Sequence, residues 1–191
     1  MGKGRLEAFS DGVIAIIITI MVLELRPPHG DDPSVLLDVK NKFFSYILSF
    51  LYLAIYWNNH HHLLQAVQKV NGKILWNNVH LLFWLSLVPF VTSWMGENNF
   101  TTWPVVLYGV ILLMAGLAYY FLTRSLISHH GKESLLADAV GKDRKGIASL
   151  IIYMLGIGLS FVHPYIGFGL YVVVAAMWII PDSRFEKKLS P

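Results

Sequence analysis

The sequence contains no cysteine, and charged residues are scarce in it. Asp, Glu, Lys and Arg make up only 14% of its 191 residues, whereas 55% are hydrophobic, and the mean hydropathy is +0.54. The absence of cysteine excludes a disulfide framework, a thiol nucleophile and Cys-ligated zinc or iron–sulfur centres. The shortage of charge excludes a disordered chain, a coiled coil and an ordinary soluble domain, in which about 25% of residues are charged. This composition predicts a membrane protein with several spans.

The sequence contains several long runs without charged residues. Three runs exceed the ~20 residues that a helix needs to cross a bilayer, namely 43–68, 74–96 and 98–123. A fourth run, 146–181, has 36 residues and is divided at Pro164, because proline cannot donate to the preceding turn. With the first apolar segment, the runs predict an all-α integral membrane protein with six transmembrane helices in one domain, 1–191. The approximate spans are 5–26, 43–66, 74–96, 101–124, 146–162 and 164–181.

Lysine and arginine lie mostly on one side of these spans. With the N-terminus inside, three of them fall outside (Arg26, Lys40 and Lys42) and 12 fall inside. The inside residues are Lys3, Arg5, Lys69, Lys73, Arg124, Lys132, Lys142, Arg144, Lys145, Arg184, Lys187 and Lys188. Because cytoplasmic loops carry the excess of positive residues, both termini are predicted to be cytoplasmic. The net charge of +3 therefore reflects membrane topology and does not indicate a nucleic-acid partner.

The first apolar segment is short and carries charges at its inner end. Only 12 residues, 12–23, separate Asp11 from Glu24, so a spanning helix must also include Arg5 and Glu7. Charged groups are costly against lipid and normally face protein or water, which predicts a central position for this helix. A signal peptide is the rival interpretation, but two acids precede the apolar run and no small-residue cleavage site follows it.

At 100° per residue, one face of this first helix is apolar apart from a single hydroxyl. That stripe consists of Gly12, Ile16, Thr19, Ile20 and Leu23. Glu7 and Asp11 lie on the opposite side. The pattern is compatible with a buried helix packed against its neighbours, and equally with copies of the helix arranged around an axis so that the stripe lines a narrow pore.

Polar residues toward the inner ends of the second and third segments can form hydrogen bonds with Asp11 of the first segment. The two segments contain the sequences WNNHHH at 57–62 and WNN at 76–78. A buried carboxylate needs hydrogen-bond partners, and His, Asn, Arg and Trp supply donors. We therefore predict a polar cluster that joins Arg5, Ser10, Asp11, His60 or His61, and Asn78.

Enzyme and metal chemistry find little support in the sequence. Three consecutive histidines on a helix point 100° apart and cannot converge on one zinc ion, since helical ligand pairs need i, i+4 spacing. Ser160 with His163 on the same segment is a poor match to an intramembrane serine protease. Phosphate-binding glycine loops and a TVGYG potassium filter are missing. We predict that the protein is not an enzyme and needs no metal or cofactor.

The segment RLEAFSDGVIAI at 5–16 closely resembles the signature of the transmembrane protein 175 family, the lysosomal potassium channels and their prokaryotic relatives. WNNHH at 57–61, LWNN at 75–78 and LVPFVT at 87–92 strengthen the resemblance. By motif it covers residues 5–97. Residues 98–191 match only in having three further spans and a basic inner loop.

The resemblance implies a homotetrameric potassium channel of moderate selectivity in a prokaryotic plasma membrane. Potassium is then the permeant ion, the lipid bilayer surrounds the tetramer, and the first helix of each subunit lines a central pore. By position, the hydrophobic constriction falls on Ile16, Ile20 and Leu23. Thr19 is the polar residue of the filter region, and Gly12 lies on the same face.

The resemblance also implies a structural role for the motif residues that lie outside the pore face. The F-S-D residues hold helix 1 against helices 2 and 3 and do not contact ions. The cluster that serves this purpose consists of Arg5, Phe9, Ser10, Asp11, His60, His61, Trp76 and Asn78.

Other functions stay open at the level of sequence. Asp11 with His60 and His61 can form the proton relay of a proton-coupled secondary transporter, although no internal repeat and no Gly/Pro-broken pair of helices is evident. A membrane subunit without a transport role is a further alternative. The outer acids either concentrate cations at a pore mouth or are plain solvated loop charges; they are Glu24, Asp31, Asp32, Asp38 and Glu97.

Overall fold

The computed structural model describes residues 2–67, 69–131, 134, 136, 137, 141 and 143–179. The helices are α1 (Lys3–Leu23), α2 (Lys40–Gln65), α3 (Gly72–Ser86), α4 (Val88–Glu97), α5 (Thr102–His130), α6 (Arg144–Ser160) and α7 (Pro164–Ile179). Only Leu87 separates α3 from α4, so these α-helices form six segments within the described part of the chain. The predicted all-α class is confirmed. Five of the predicted inside positives and the end of the last span lie outside the described residues: Lys132, Lys142, Arg184, Lys187, Lys188 and 180–181.

Three of the described segments are long and apolar enough to cross a membrane: α1, the continuous α3–α4 segment, and α5. The second helix has 26 residues, but its inner end carries Asn58, Asn59 and three histidines. The last two helices have 17 and 16 residues, which corresponds to about 25 Å each. A short 3-10 helix, Pro33–Leu37, lies between α1 and α2.

Polar caps and proline set the ends of several helices. The Oδ1 atoms of Asn71 and Asp143 each accept a hydrogen bond at 3.0 Å from a backbone N–H in the first turn of α3 and α6, satisfying donors that the helix itself leaves unpaired. Pro164 opens α7, where the missing N–H costs nothing. Three residues, 161–163, connect α6 to α7. The two helices pack against each other and form an antiparallel hairpin.

The fifth helix lies at the centre of the subunit, where it packs against α3, α4, α6 and α7. A side chain at Gly109 or Gly156 would collide with the ring of Tyr171. These glycines therefore allow α5 and α6 to close around α7. The first helix packs against α2, α3 and α4, at one side of this core.

Candidate ion pathway

The first helix divides into a buried face and an exposed face. Its buried residues contact its own subunit; they are Leu6, Ser10, Ile14, Ile17 and Met21. On the other face, the side chains of Ile16, Ile20 and Leu23 are 59%, 43% and 76% exposed. Large aliphatic side chains thus stand in a row on the outside of the subunit at the spacing i, i+4, i+7.

Thr19 and Gly12 complete this exposed stripe. Thr19 is exposed, and its hydroxyl donates to the carbonyl oxygen of Ile16 at 2.8 Å. Because that bond uses the hydroxyl hydrogen, the oxygen keeps lone pairs with which to accept a bond or meet a cation. A side chain built at Gly12 would meet no atom within 4 Å, so the stripe borders open space on both sides of Ile16.

A wide groove separates the outer half of α1 from α4. It encloses about 610 Å³, and Ile16 and Ile20 form one wall while Phe90 and Trp94 form the other. The rings of Phe90 and Trp94 stack with centroids 6.2 Å apart. In the single subunit, this large apolar concavity lies directly beside the exposed stripe.

A buried hydrogen-bond chain joins α1, α2 and α3 below the groove. The side-chain amide of Asn78 donates to Ser10 Oγ at 2.9 Å, and its carbonyl oxygen lies 2.7 Å from Nε2 of His60. Ser10 in turn donates to the carbonyl oxygen of Leu6 at 2.8 Å. These three side chains are almost completely buried. Asn78 therefore connects one residue of α1 to one residue of α2.

A second set of polar contacts ties the edge of α1 to α2. The indole N–H of Trp57 donates to Asp11 Oδ1 at 3.0 Å, and Nδ1 of His61 lies 3.3 Å from Glu7 Oε1. The rings of Trp57 and His61 stack at 6.1 Å with an angle of 19° between their planes. The ammonium group of Lys3 donates to the carbonyl oxygen of Leu64 at 2.9 Å. Both acids of α1 therefore face their own subunit.

Three residues of the predicted cluster lie outside this network. Arg5 is exposed, Phe9 is 56% exposed, and Trp76 is 76% exposed. Steps of 100° place Arg5 and Phe9 on the Ile16 side of α1, and they turn Trp76 away from Asn78 on α3. In the subunit, the polar contacts therefore involve Ser10, Asp11, His60, His61 and Asn78.

Glu7 and Trp57 take part in the network, although they were not among the predicted cluster residues. A usable signal was present, because Glu7 and Asp11 are four residues apart on α1, and Trp57 and His61 are four apart on α2. Residues at i, i+4 share one face of a helix. In the structure, His61 contacts Glu7 and Trp57 contacts Asp11, so each residue of one pair meets a residue of the other.

The triple histidine does not form a cluster of ligands. The ring of His60 meets Asn78, while His61 meets Glu7 and, through Nε2, the side-chain nitrogen of Gln65 at 2.8 Å. Among the described residues, no group of three or more His, Cys, Asp or Glu side chains could hold a metal ion.

The acids at the outer ends of α1 and α4 have polar partners. Glu97 lies 3.0 Å from the ammonium group of Lys42, and Ser93 donates to Glu24 at 3.3 Å. In the loop that follows α1, hydrogen bonds from Ser34 hold the pKa of Asp32 below its usual value. Asp32 therefore stays ionised at neutral and mildly acidic pH.

Comparisons with known proteins agree with this architecture. Residues 5–89 match the family model described as endosomal/lysosomal potassium channel TMEM175. A protein of Chryseobacterium sp. (strain P1-3) named a potassium channel is 54% identical over 99% of this chain and 98% of its own length. The mouse endosomal/lysosomal proton channel TMEM175 is 28% identical over 56% of this chain but only 22% of its own length.

A solved structure is similar to the whole chain. The crystal structure of a lysosomal potassium-selective channel TMEM175 homolog from Chamaesiphon minutus superposes with a TM-score of 0.79 and 25% identity, covering 98% of both chains. The resemblance predicted from the motifs at 5–16, 57–61 and 75–92 is thereby confirmed. This chain belongs to the TMEM175 family.

Proposed function

We propose that this chain forms a homotetrameric, moderately selective potassium channel whose central pore is lined by α1 of each subunit. The observation that carries the proposal is the exposed row of Ile16, Ile20 and Leu23 on a helix whose acids face its own subunit. Charged groups rarely face lipid, so a helix with this division is suited to the centre of an assembly. We take potassium as the permeant ion because the bacterial relative is named a potassium channel.

The groove beside the stripe supports an assembly of several copies. A void of about 610 Å³ next to large exposed apolar side chains leaves packing contacts unmade in a single subunit. An α1 helix from the next copy, related by a rotation, would fill the groove of each neighbour. With a rotation of 90° between copies, repeated heterologous contacts of this kind close into a ring of four, with the four stripes facing the axis.

The apolar stripe determines the kind of selectivity that we propose. Ile and Leu offer no oxygen atoms to replace the hydration shell of an ion, so a cation must pass with much of its water or lose some at a cost. Potassium holds its water less tightly than sodium, and a narrow apolar ring therefore favours potassium modestly. The same ring can close by dewetting. Thr19, with its free lone pairs, is the one polar group beside the constriction.

The polar contacts of α1 serve this pore by fixing its rotation. The chain from Ser10 through Asn78 to His60, together with the contact between Trp57 and Asp11, leaves α1 little freedom to turn about its axis. A rotation of one residue step would move the stripe by 100°. We therefore assign these residues a structural role and no contact with ions.

Flux measurements test the channel directly. Vesicles that contain the purified protein should release potassium, when loaded with it, faster than matched vesicles release sodium. Ile16→Asn should raise the flux of both ions by wetting the constriction. Ile151→Asn is the matched control, because Ile151 is 48% exposed on α6 and far from the stripe. Unchanged flux in the Ile16 variant would remove this residue from the constriction. Particle images should show fourfold symmetry.

We further propose a location in the prokaryotic plasma membrane with both termini in the cytoplasm. Since the chain has no cysteine, single-cysteine labelling tests this without background. Asp31→Cys should react with a membrane-impermeant maleimide on intact cells, and Lys69→Cys should react only after lysis. The reverse pattern would contradict the proposed topology.

Proton-coupled transport is the second candidate, favoured by one observation. The Nδ1 atom of His60 is buried and has no partner among the described residues, so it can accept a proton. Against a relay, His60 bonds to Asn78 and Asp11 bonds to Trp57, and the two side chains share no hydrogen bond. Single-channel openings would exclude this candidate, whereas saturable flux coupled to protons would favour it.

A further inference from the structure

A narrow crevice lies among four helices of the subunit, and none of its described lining residues belongs to α1. Its walls come from α2, α5, α6 and α7, and the main contributors are Tyr56, Tyr119, Tyr120, Leu150 and Trp178. The space inside is about 60 Å³. This volume excludes a bulky ring system but admits a slender apolar group.

Hydrogen bonds hold the crevice walls in place. Trp178 donates its indole N–H to Ser149 Oγ at 2.8 Å, and the hydroxyl of Tyr119 donates to the carbonyl oxygen of Asn59 at 3.1 Å. The rings of Tyr56 and Tyr119 pack edge to face at 6.1 Å. With these polar atoms engaged, the walls present chiefly aromatic and aliphatic surface to an occupant.

Two positive groups flank the same crevice. The guanidinium carbon of Arg124 lies 5.0 Å from the ring centre of Tyr120, and the ammonium nitrogen of Lys145 lies 5.7 Å from that of Trp178. Among the described lining residues the one acid is Asp143, which caps α6 by accepting from the backbone N–H of Gly146. The crevice therefore combines an apolar interior with a cationic rim.

We propose that this crevice takes up a short stretch of an acyl chain of an anionic phospholipid, whose phosphate lies between Arg124 and Lys145. The inference rests on the proposed orientation, which puts these two residues at the cytoplasmic surface. There they meet the headgroups of the inner leaflet, and basic residues between transmembrane helices on that side are suited to anionic headgroups. The narrow aromatic interior accepts the chain.

Lipid retention tests the cationic rim. Purified protein is titrated with phosphatidylglycerol or phosphatidylcholine of identical chains, and bound lipid is counted by native mass spectrometry. The wild type should retain phosphatidylglycerol in preference to phosphatidylcholine. Arg124→Gln and Lys145→Gln should each weaken the binding of phosphatidylglycerol about fivefold. Lys73→Gln, which removes a positive charge at the same membrane side on α3, should have no such effect. Equal affinity for the two lipids, or equal losses in all three variants, would overturn the proposal.

Filling the crevice tests its apolar interior. Leu150→Trp should block the chain and reduce retention of both lipids, while Ile151→Trp, on the exposed side of the same helix, should leave retention unchanged. If Leu150→Trp fails to fold, the charge variants decide the question alone. Undiminished retention in a folded Leu150→Trp protein would overturn the proposal.

The lipid proposal and the channel proposal can be tested separately. In vesicles of pure phosphatidylcholine, Arg124→Gln and Lys145→Gln should conduct potassium as the wild type does. The two residues lie on α5 and α6, whereas α1 packs against α2, α3 and α4. Loss of lipid preference with normal flux bears on the crevice only, and absent flux with normal lipid preference bears on the channel only.

Discussion

The first and fifth helices are both long and apolar, yet they use their apolar residues in opposite ways. The fifth helix buries Leu112 and Leu122 at the centre of the subunit, whereas the first leaves Ile16 and Leu23 exposed. Half of the most apolar stretch of α5 is buried, against 28% of that of α1. The difference follows from the charges: α1 turns Glu7 and Asp11 toward its own subunit, and its apolar side is left for the assembly.

The largest effect is expected when asparagine replaces an aliphatic residue in each of the two helices. Leu112→Asn puts an amide without a partner into the core of α5 and should destabilise the subunit by about 3 kcal/mol or more. Ile20→Asn on the exposed face of α1 should leave the monomer fold intact and change ion flux. Thermal melting of the purified variants measures the first effect. Equal destabilisation in both would contradict the contrast between the helices.

The next effect concerns the hydrogen-bond chain that orients α1. Asn78→Ala removes one hydrogen bond from Ser10, which keeps its bond to Leu6, and leaves Nε2 of His60 buried without its partner. The loss should cost about 2–3 kcal/mol. Asn77→Ala, on the neighbouring position of α3, should cost under about 0.5 kcal/mol. A double-mutant cycle of Asn78 with Ser10 should show coupling between the two residues. Additive effects would mean that the bond between them does not contribute.

A smaller effect is expected at the edge of α1. Trp57→Phe keeps a ring that can stack on His61 but removes the bond to Asp11, at a cost of about 1 kcal/mol. Hydrogen exchange in the inner turns of α1 should then accelerate, and that in α5 should not. Trp103→Phe is the control, since Trp103 is 66% exposed and its ring packs on that of Phe161. Equal protection of α1 in both variants would argue against a role for the Trp57 bond.

The smallest effect is expected at the outer end of the subunit. Lys42→Gln removes the ion pair with Glu97, whose side chain is 53% exposed, so the change in stability should stay within about 1 kcal/mol and vanish at high salt. Melting at low and high ionic strength measures it. A larger, salt-independent loss would show that Lys42 contributes through packing.

Part of the pathway could be predicted from helix periodicity and part could not. The stripe of Gly12, Ile16 and Ile20 follows from the 100° step alone, because these residues lie on one helix. The involvement of Trp57 and the exposure of Trp76 depend on how α2 and α3 are rotated against α1, and no periodicity within one helix contains that rotation. Arg5 is a different case, because its place on the exposed face follows from the same 100° step. Only its charge had suggested the polar cluster.

By itself, the sequence determined a helical membrane protein, because uncharged runs of sufficient length and their interrupting charges are local properties. It also determined which residues of α1 share a face. The tertiary structure decided the partners: Asn78 between Ser10 and His60, Trp57 on Asp11, and the crevice among α2, α5, α6 and α7. These contacts join residues far apart in the chain, and their geometry exists only once the helices have packed.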